Sequence, residues 1–350
     1  IDKRDLKPRL QNAIRRLAAY SNPQFYQNLA LGFSNNKTPR IVYDGYDEGN
    51  HIVIPRGCFD ELKSHLYEAE IPCRIIDKRQ SGRAINVSFN GTLYQEQFVA
   101  AEHLSAHDIG ILAAATAFGK TVIGAYLIAR RKVNTLVLVN SAEIMNNWAQ
   151  DLDRFLTIQE DLPTYTTPKG RIKRRDSVIG TFSSQKKAAT GIIDIAMIGS
   201  LGKEDNINPM VRDYGMVIVD ECHHAAAATF ENVLRASAAK YVYGMSATVK
   251  RGDKQERRLF MQLGPIRHRY TTKERAQKQG IGHFIYPRFT RLVDLSPSDG
   301  RMMHELNQLI IQSEIRTHQI VADAVDCIRK GRTPVVMTKS RIHAEMLYSQ

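Results

Sequence analysis

Five short apolar runs recur along the middle of the chain, each followed by a stretch whose apolar residues return every three to four positions. The runs are Ile109-Gly110-Ile111-Leu112-Ala113, Leu136-Val137-Leu138-Val139, residues 192–198, Met216-Val217-Ile218-Val219 and Tyr241-Val242-Tyr243-Gly244-Met245. Runs of this length without polar alternation are the mark of strands buried on both faces. Between them Ile123 and Leu127 share one helical face. Ile144, Trp148, Leu152 and Phe155 share another, with Ser141 placed to cap it. Alternation of strand and helix over residues 91–265 predicts an α/β fold whose parallel sheet is covered on both sides. Trp148 lies on an apolar face, so it is expected in the core and not against a nucleic-acid base.

The flanking segments read differently. Residues 1–90 suggest a separate α/β module: a helix with Leu10, Ile14 and Leu17 on one face and Arg9, Arg15 and Arg16 on the other, stopped at Asn22-Pro23. Short strand-like runs follow at residues 40–43 and 51–54, then a helix over 59–68. Residues 266–300 are basic and punctuated by Gly and Pro, as a linker would be. Beyond them Leu306, Leu309 and Ile310 mark one helix and Val321, Ala324, Val325 and Ile328 the next, with Gly331 closing the pair.

With 43% hydrophobic and 24% charged residues over 350 positions, the composition is that of an ordinary globular chain with room for two or three domains. Lys and Arg number 49 against 36 Asp and Glu, a formal net charge of +13 that suits a polyanionic partner. Much of the excess crowds between Leu162 and Lys187, at Lys169, Arg171, Lys173, Arg174, Arg175, Lys186 and Lys187. A solvated loop and a nucleic-acid contact are both open readings of that crowd. Four cysteines without C-x-x-C spacing indicate neither a disulfide framework nor a zinc site and suit a cytoplasmic setting. No apolar run approaches the ~20 residues needed to cross a bilayer, so no membrane partner is expected.

The chemistry sits at the ends of the apolar runs. Ala114-Ala115-Thr116-Ala117-Phe118-Gly119-Lys120-Thr121 lies between the first run and the Ile123 helix, the strand–loop–helix setting of a phosphate-binding loop. Ala114 stands where the pattern usually has its first glycine. Such a loop aims backbone N–H groups and a helix N-terminus at an anion, with Lys120 reaching the β- and γ-phosphates and the Thr121 hydroxyl available to Mg²⁺. The fourth run delivers Asp220-Glu221-Cys222-His223-His224 to the carboxyl end of a central strand, where open α/β sheets bind ligands. Asp220 would hold Mg²⁺ there, and Glu221 would orient and deprotonate a water. Helix capping explains one such carboxylate better than two. Cys222, His223 and His224 share one turn and cannot wrap a tetrahedral metal. The fifth run ends in Ser246-Ala247-Thr248, which in this order fits an element coupling a triphosphate site to a neighbouring groove.

The ordered set Gln97, Ala117-Phe118-Gly119-Lys120-Thr121, Asp220-Glu221-Cys222-His223 and Ser246-Ala247-Thr248 resembles the superfamily 2 helicases of the DECH-box kind. It is most similar to the branch holding xeroderma pigmentosum group B-like translocases and restriction-enzyme motor subunits. Asn22-Pro23-Gln24-Phe25-Tyr26, Ile54-Pro55-Arg56-Gly57, the Tyr214–His224 stretch and Gly264-Pro265-Ile266 further resemble defence-type helicases, including those of TOTE conflict systems. The resemblance implies a RecA-like lobe over 91–265 and the beginning of a second, truncated lobe over 301–350, with Pro334-Val335-Val336-Met337-Thr338-Lys339-Ser340 as its first strand. It implies ATP and Mg²⁺ as cofactors, with Thr116 to Thr121 around the phosphates and Gln97 on the adenine edge. It implies that His223 links Glu221 to Ser246 and Thr248, and that Asn140, Ser141, Gly199, Ser200 and Leu201 contact a nucleic-acid backbone without reading sequence.

The expected function is that of an ATP-dependent DNA helicase or translocase in a bacterial or phage defence-type system, with a nuclease or other defence subunit as a further partner. Because the arginine-bearing motifs of the second lobe do not occur in these residues, the segment alone is expected to bind ATP and turn it over slowly. Two rivals remain: a non-translocating ATP-dependent switch or scaffold, and an RNA helicase.

Overall fold

The computed structural model describes residues 1–167, 169–203, 206–224, 228–247, 256–280, 282, 284–289 and 303–350, and divides into a unit ending at residue 281 and a second beginning at Gly282. An eight-stranded sheet forms the centre of the first unit. Its strands are β1 (Ile109–Ala114), β2 (Thr135–Val139), β3 (Ile179–Phe182), β4 (Lys187–Ala188), β5 (Ile193–Met197), β6 (Met216–Asp220), β7 (Tyr241–Ser246) and β8 (Ile266–Tyr270). They lie in the order β4-β3-β5-β2-β6-β7-β1-β8, all parallel except the short edge strand β4. Because successive side chains leave a strand on opposite faces, the apolar runs supply two cores at once. Leu112, Val137, Val139, Ile193, Ile218 and Met245 enter one core, whereas Ile111, Leu136, Leu138, Val217, Val219 and Val242 enter the other.

Helices cover both cores. The first is closed by α1 (Gln95–Ser105), α2 (Lys120–Arg131) and α3 (Ala142–Phe155), and the second by α4 (Ala228–Ala236) and α5 (Glu256–Leu263). Ser141 caps α3, its hydroxyl accepting from the Ile144 N–H at 3.2 Å. Gly124 on α2 faces the ring of Trp148 so closely that an added Cβ would lie 2.5 Å from Cη2. The absence of a side chain there lets the single tryptophan of the chain bury itself between helix and sheet.

The first ninety residues have a small core of their own, built on Ile14, Leu17, Ala18, Ile52, Cys58 and Leu62, but Met261 of α5 completes it. The Ile54-Pro55-Arg56-Gly57 segment is the joint. Arg56 is partly buried and donates to the carbonyls of Leu234, Ser237 and Ala239, closing the carboxyl end of α4. Gly57 admits the α5 backbone, since an added Cβ would meet the Phe260 carbonyl at 1.9 Å. Asn22-Pro23 does more than end the first helix. Asn22 accepts from the Gln24 N–H at 3.1 Å and Pro23 opens a helix over Pro23–Ala30.

The expected linker from residue 266 differs in its first part. Ile266–Tyr270 is an edge strand of the main sheet, paired to β1, and a capped helix at Thr272–Gln279 follows. Its polar composition reflects a strand with one neighbour, and Arg267 folds back onto Asp60 at 2.6 Å and the Ile109 carbonyl at 3.1 Å. Residues 290–302, which hold the rest of the expected linker, fall outside the described part of the chain.

The second unit contains helices Met303–Gln312, Glu314–Arg329 and Arg341–Tyr348. Gly331, at φ +71°, ends the middle one. Residues 334–340, expected to open a second lobe as a strand, carry no strand among the described residues. They run alone with Val335 and Met337 exposed, and a strand exists only by pairing.

Candidate functional site

At the carboxyl edge of the sheet, β6 and β1 flank β7, so three separated stretches end side by side. The turn after β1 carries Thr116 and Ala117 exposed to solvent and then enters α2 at Lys120. Ala117 has φ +58° and Gly119 φ +85°, two left-handed residues in a turn of the kind whose backbone N–H groups can gather around an anion. The loop is braced from outside. Phe118 stacks on Tyr270 with ring centroids 4.5 Å apart, and Ala115 N–H donates to the Tyr270 carbonyl at 3.0 Å. Gln97 is buried beneath it: Oε1 accepts from the Tyr94 N–H at 2.9 Å, and Nε2 donates to the Phe118 carbonyl at 2.8 Å. One amide N–H and one lone pair of Gln97 are thereby left for a further partner.

Lys120 turns back over the loop. Its Nζ lies 3.5 Å from the Ala114 carbonyl and 3.5 Å from Glu221 Oε1. Glu221 directly follows β6 and holds φ +44°, a conformation that costs a non-glycine residue about 1–3 kcal/mol and persists where surroundings impose it. Its Oε2 is buried without a hydrogen bond and sits 3.2 Å from His223 Nδ1. The same Nδ1 is 2.6 Å from the hydroxyl of buried Ser246 at the end of β7. Lys120, Glu221, His223 and Ser246 thus form one continuous polar chain. Ala247 follows at the edge, and Thr248 lies outside the described residues.

Asp220 is held on both oxygens. Oδ1 accepts from the Glu221 N–H at 2.9 Å and Oδ2 from the Trp148 indole N–H at 2.7 Å. Burial pushes this carboxyl up from the ordinary carboxylate range, while the two N–H donors and Lys120 favour the ionised form. Trp148 is core, as its position on an apolar helix face implies, and it also orients an expected Mg²⁺ ligand. Three residues further along α3, Asp151 is pushed up by burial, with Arg154 and a hydrogen bond to Thr121 acting the other way. One helix therefore addresses both expected cation ligands, Asp220 and Thr121. Trp148→Phe keeps most of the ring and removes the N–H. Partners in the outer shell typically alter metal affinity 10- to 100-fold, so Mg²⁺ affinity of the nucleotide-bound protein should fall about 10-fold by calorimetric titration. An unchanged affinity would leave Trp148 with packing alone.

The proposed nucleic-acid residues lie apart from this chain but on the same edge. Asn140 is exposed after β2, Ser141 is partly committed as the α3 cap, and Gly199 and Ser200 form a 3₁₀ turn after the adjacent strand β5. Gly199 faces open space, with nothing within 4 Å of an added Cβ. Leu201 is buried and turned inward.

Residues 65–251, more than half of the chain, match the family model for the type III restriction enzyme res subunit. A protein of Acanthamoeba polyphaga mimivirus, whose name assigns it provisionally to the ATP-dependent RNA helicases, is 25% identical over 250 residues, covering 67% of this chain and 42% of that protein. The DNA 3'-5' helicase XPB of Mycobacterium tuberculosis is 24% identical over 286 residues, 75% of this chain and 48% of that one. The chain thus spans about half, or less, of the length of these relatives. Among solved structures, UvsW of bacteriophage T4 superposes with a TM-score of 0.55 at 14% identity, over 99% of this chain and 69% of that one, and shares its RecA-like α/β fold.

Proposed function

The chain belongs to the family of the type III restriction enzyme res subunit, and on that premise we propose that it is the ATP-binding part of a superfamily 2 motor acting on DNA. The observation that carries this reading is the polar chain from Lys120 through Glu221 and His223 to Ser246, lying beside a loop whose left-handed residues are placed to cradle phosphates. The residues suit a Mg²⁺-bound triphosphate: hard oxygen donors at Asp220 and Thr121, and a buried Glu221 Oε2 that accepts no hydrogen bond among the described residues and has the His223 ring as its neighbour. When bound, Mg²⁺ neutralises charge on the phosphate oxygens.

The chain's own residues do the remainder. The N–H groups from Thr116 to Lys120 and the Lys120 ammonium bind the phosphates, and Gln97 fixes the loop while presenting its spare amide groups to an adenine edge. Glu221 accepts a proton from the attacking water on Oε2. His223 holds that carboxylate against Ser246, so that a change at the γ-phosphate reaches the end of β7. Asn140, Ser141, Gly199 and Ser200 would follow the strand on the same edge. Association with a nuclease or another defence subunit is part of the proposal, supported by the family and not by any geometry.

DNA is preferred because the family is that of a restriction subunit and one relative is named a DNA helicase. The name of the mimivirus relative keeps RNA as the second reading. Steady-state ATP turnover by the protein with single-stranded DNA, duplex DNA and RNA separates the cases. DNA should raise turnover about tenfold or more, a barrier lower by ~1.4 kcal/mol. Stimulation by RNA alone would transfer the substrate, and turnover indifferent to any polynucleotide would leave an ATP-driven switch.

A further inference from the structure

The basic crowd between Leu162 and Lys187 takes a definite shape. Thr164–Thr166 and Ile172–Arg174 pair as a hairpin, which stands beside the β3–β4 edge of the sheet and the outer face of α3. Between them lies a groove of about 690 Å³ lined by Lys173, Arg174, Arg175 and Lys186, with Gln150 and Thr181 as neutral donors. Asp153 and Asp176 also reach it, yet none of the four cations is ion-paired among the described residues. Several arginines elsewhere in this unit are ion-paired, among them Arg83 with Glu160, Arg235 and Arg258 with Glu231, Arg257 with Glu61, and Arg267 with Asp60. Arg175 is further ordered by lying over the Tyr165 ring, 4.1 Å from its centroid.

Topology says where this groove leads. In the sheet order β3-β5-β2, the residues leaving the carboxyl ends are the Ser183–Lys186 turn, then Gly199 and Ser200, then Asn140 and Ser141. Adjacent strands are ~4.8 Å apart, so these three stations form a row about 10 Å long, roughly three phosphate steps of one B-form strand. We propose that the Lys173–Arg174–Arg175–Lys186 groove is a further contact for the phosphate backbone of bound nucleic acid, extending the row beyond Gly199 and Ser200. The inference rests on the reading that the chain binds nucleic acid. Contacts of this kind add affinity and direction without sequence preference.

The test is binding of labelled single-stranded and duplex DNA, and RNA, as a function of salt. The variant combines Lys173→Ala, Arg174→Ala, Arg175→Ala and Lys186→Ala, and a fluorescent ATP analogue monitors the nucleotide site. Each phosphate neutralised contributes about 0.7 to the log–log salt slope for a single strand and about 0.9 for a duplex, so four lost contacts should lower the slope by about 3 for a single strand and by nearly 4 for a duplex. Affinity at 0.1 M salt should fall about tenfold or more, with analogue binding unchanged. Because Arg175 braces Tyr165, a second variant that retains it should lose about 2 in slope. An unchanged slope and affinity in both variants would overturn the proposal and leave these charges as guards of an edge strand. Failure of the unmodified protein to bind any polynucleotide would instead remove the reading beneath it, and the groove with it.

Discussion

Replacing Lys120 by alanine is expected to weaken ATP binding by roughly 10- to 150-fold and to cut hydrolysis by a further 10²- to 10³-fold. The first figure follows from losing charge-assisted hydrogen bonds of about 1.5–3 kcal/mol, the second from losing a cation aimed at charge that grows in the transition state. The geometry makes this substitution severe. Lys120 Nζ is the cation beside Glu221 Oε1, at 3.5 Å, so its removal also leaves this half-buried carboxylate with His223 as its neighbour and no lysine between it and the phosphates. Binding of a fluorescent ATP analogue, together with the thermal unfolding midpoint, checks the outcome. The loop is braced by Phe118 on Tyr270 and by Gln97, neither of which needs the lysine, so the fold should persist. ATP affinity within twofold of the unmodified protein would remove Lys120 from the site.

Why this loop could be recognised in the sequence, and other features could not, follows from the range of the interactions. Buried parallel strands need apolar residues at nearly every position, so β1, β2, β6 and β7 are legible as unbroken runs and β5 as a run interrupted only by Asp194, and the residues at their ends inherit a place on one edge. The phosphate loop and the Asp220-Glu221 pair are local motifs, complete within a few residues. Trp148 is different. Helical spacing assigns it to a core face, but the partner of its indole N–H is 72 residues away, and only the packing of α3 on β6 brings Asp220 to it. Arg56 is equally opaque, since its three carbonyl acceptors lie about 180 residues on. β8 hid for the opposite reason. An edge strand with a single neighbour keeps charged residues such as Arg267 and Arg269, and its alternation resembles a linker. The strand expected at residues 334–340 had the right composition and no partner, and composition alone does not build a ladder.

Glu221→Gln is expected to separate binding from hydrolysis. A carboxylate acting as general base contributes about 10² to 10⁴ in rate, and an amide of the same shape cannot accept the proton. Single-turnover hydrolysis with protein in excess should therefore fall by that factor. ATP affinity should hold or improve, because a negative charge near the phosphates is gone while Lys120 remains. The position makes the comparison clean: glutamine carries the same backbone strain at φ +44° as glutamate, so the substitution changes charge and proton affinity without relaxing the turn. A structural role for Glu221, as a brace between Lys120 and His223, gives the opposite signature. Glutamine could keep either contact by hydrogen bonding, hydrolysis would stay within a few-fold, and the unfolding midpoint would carry the effect. Hydrolysis retained to within tenfold would rule out Glu221 as the base and would turn attention to the other carboxylate of the edge, Asp220. Both Asp220 oxygens already accept N–H donors, which makes it much the poorer proton acceptor.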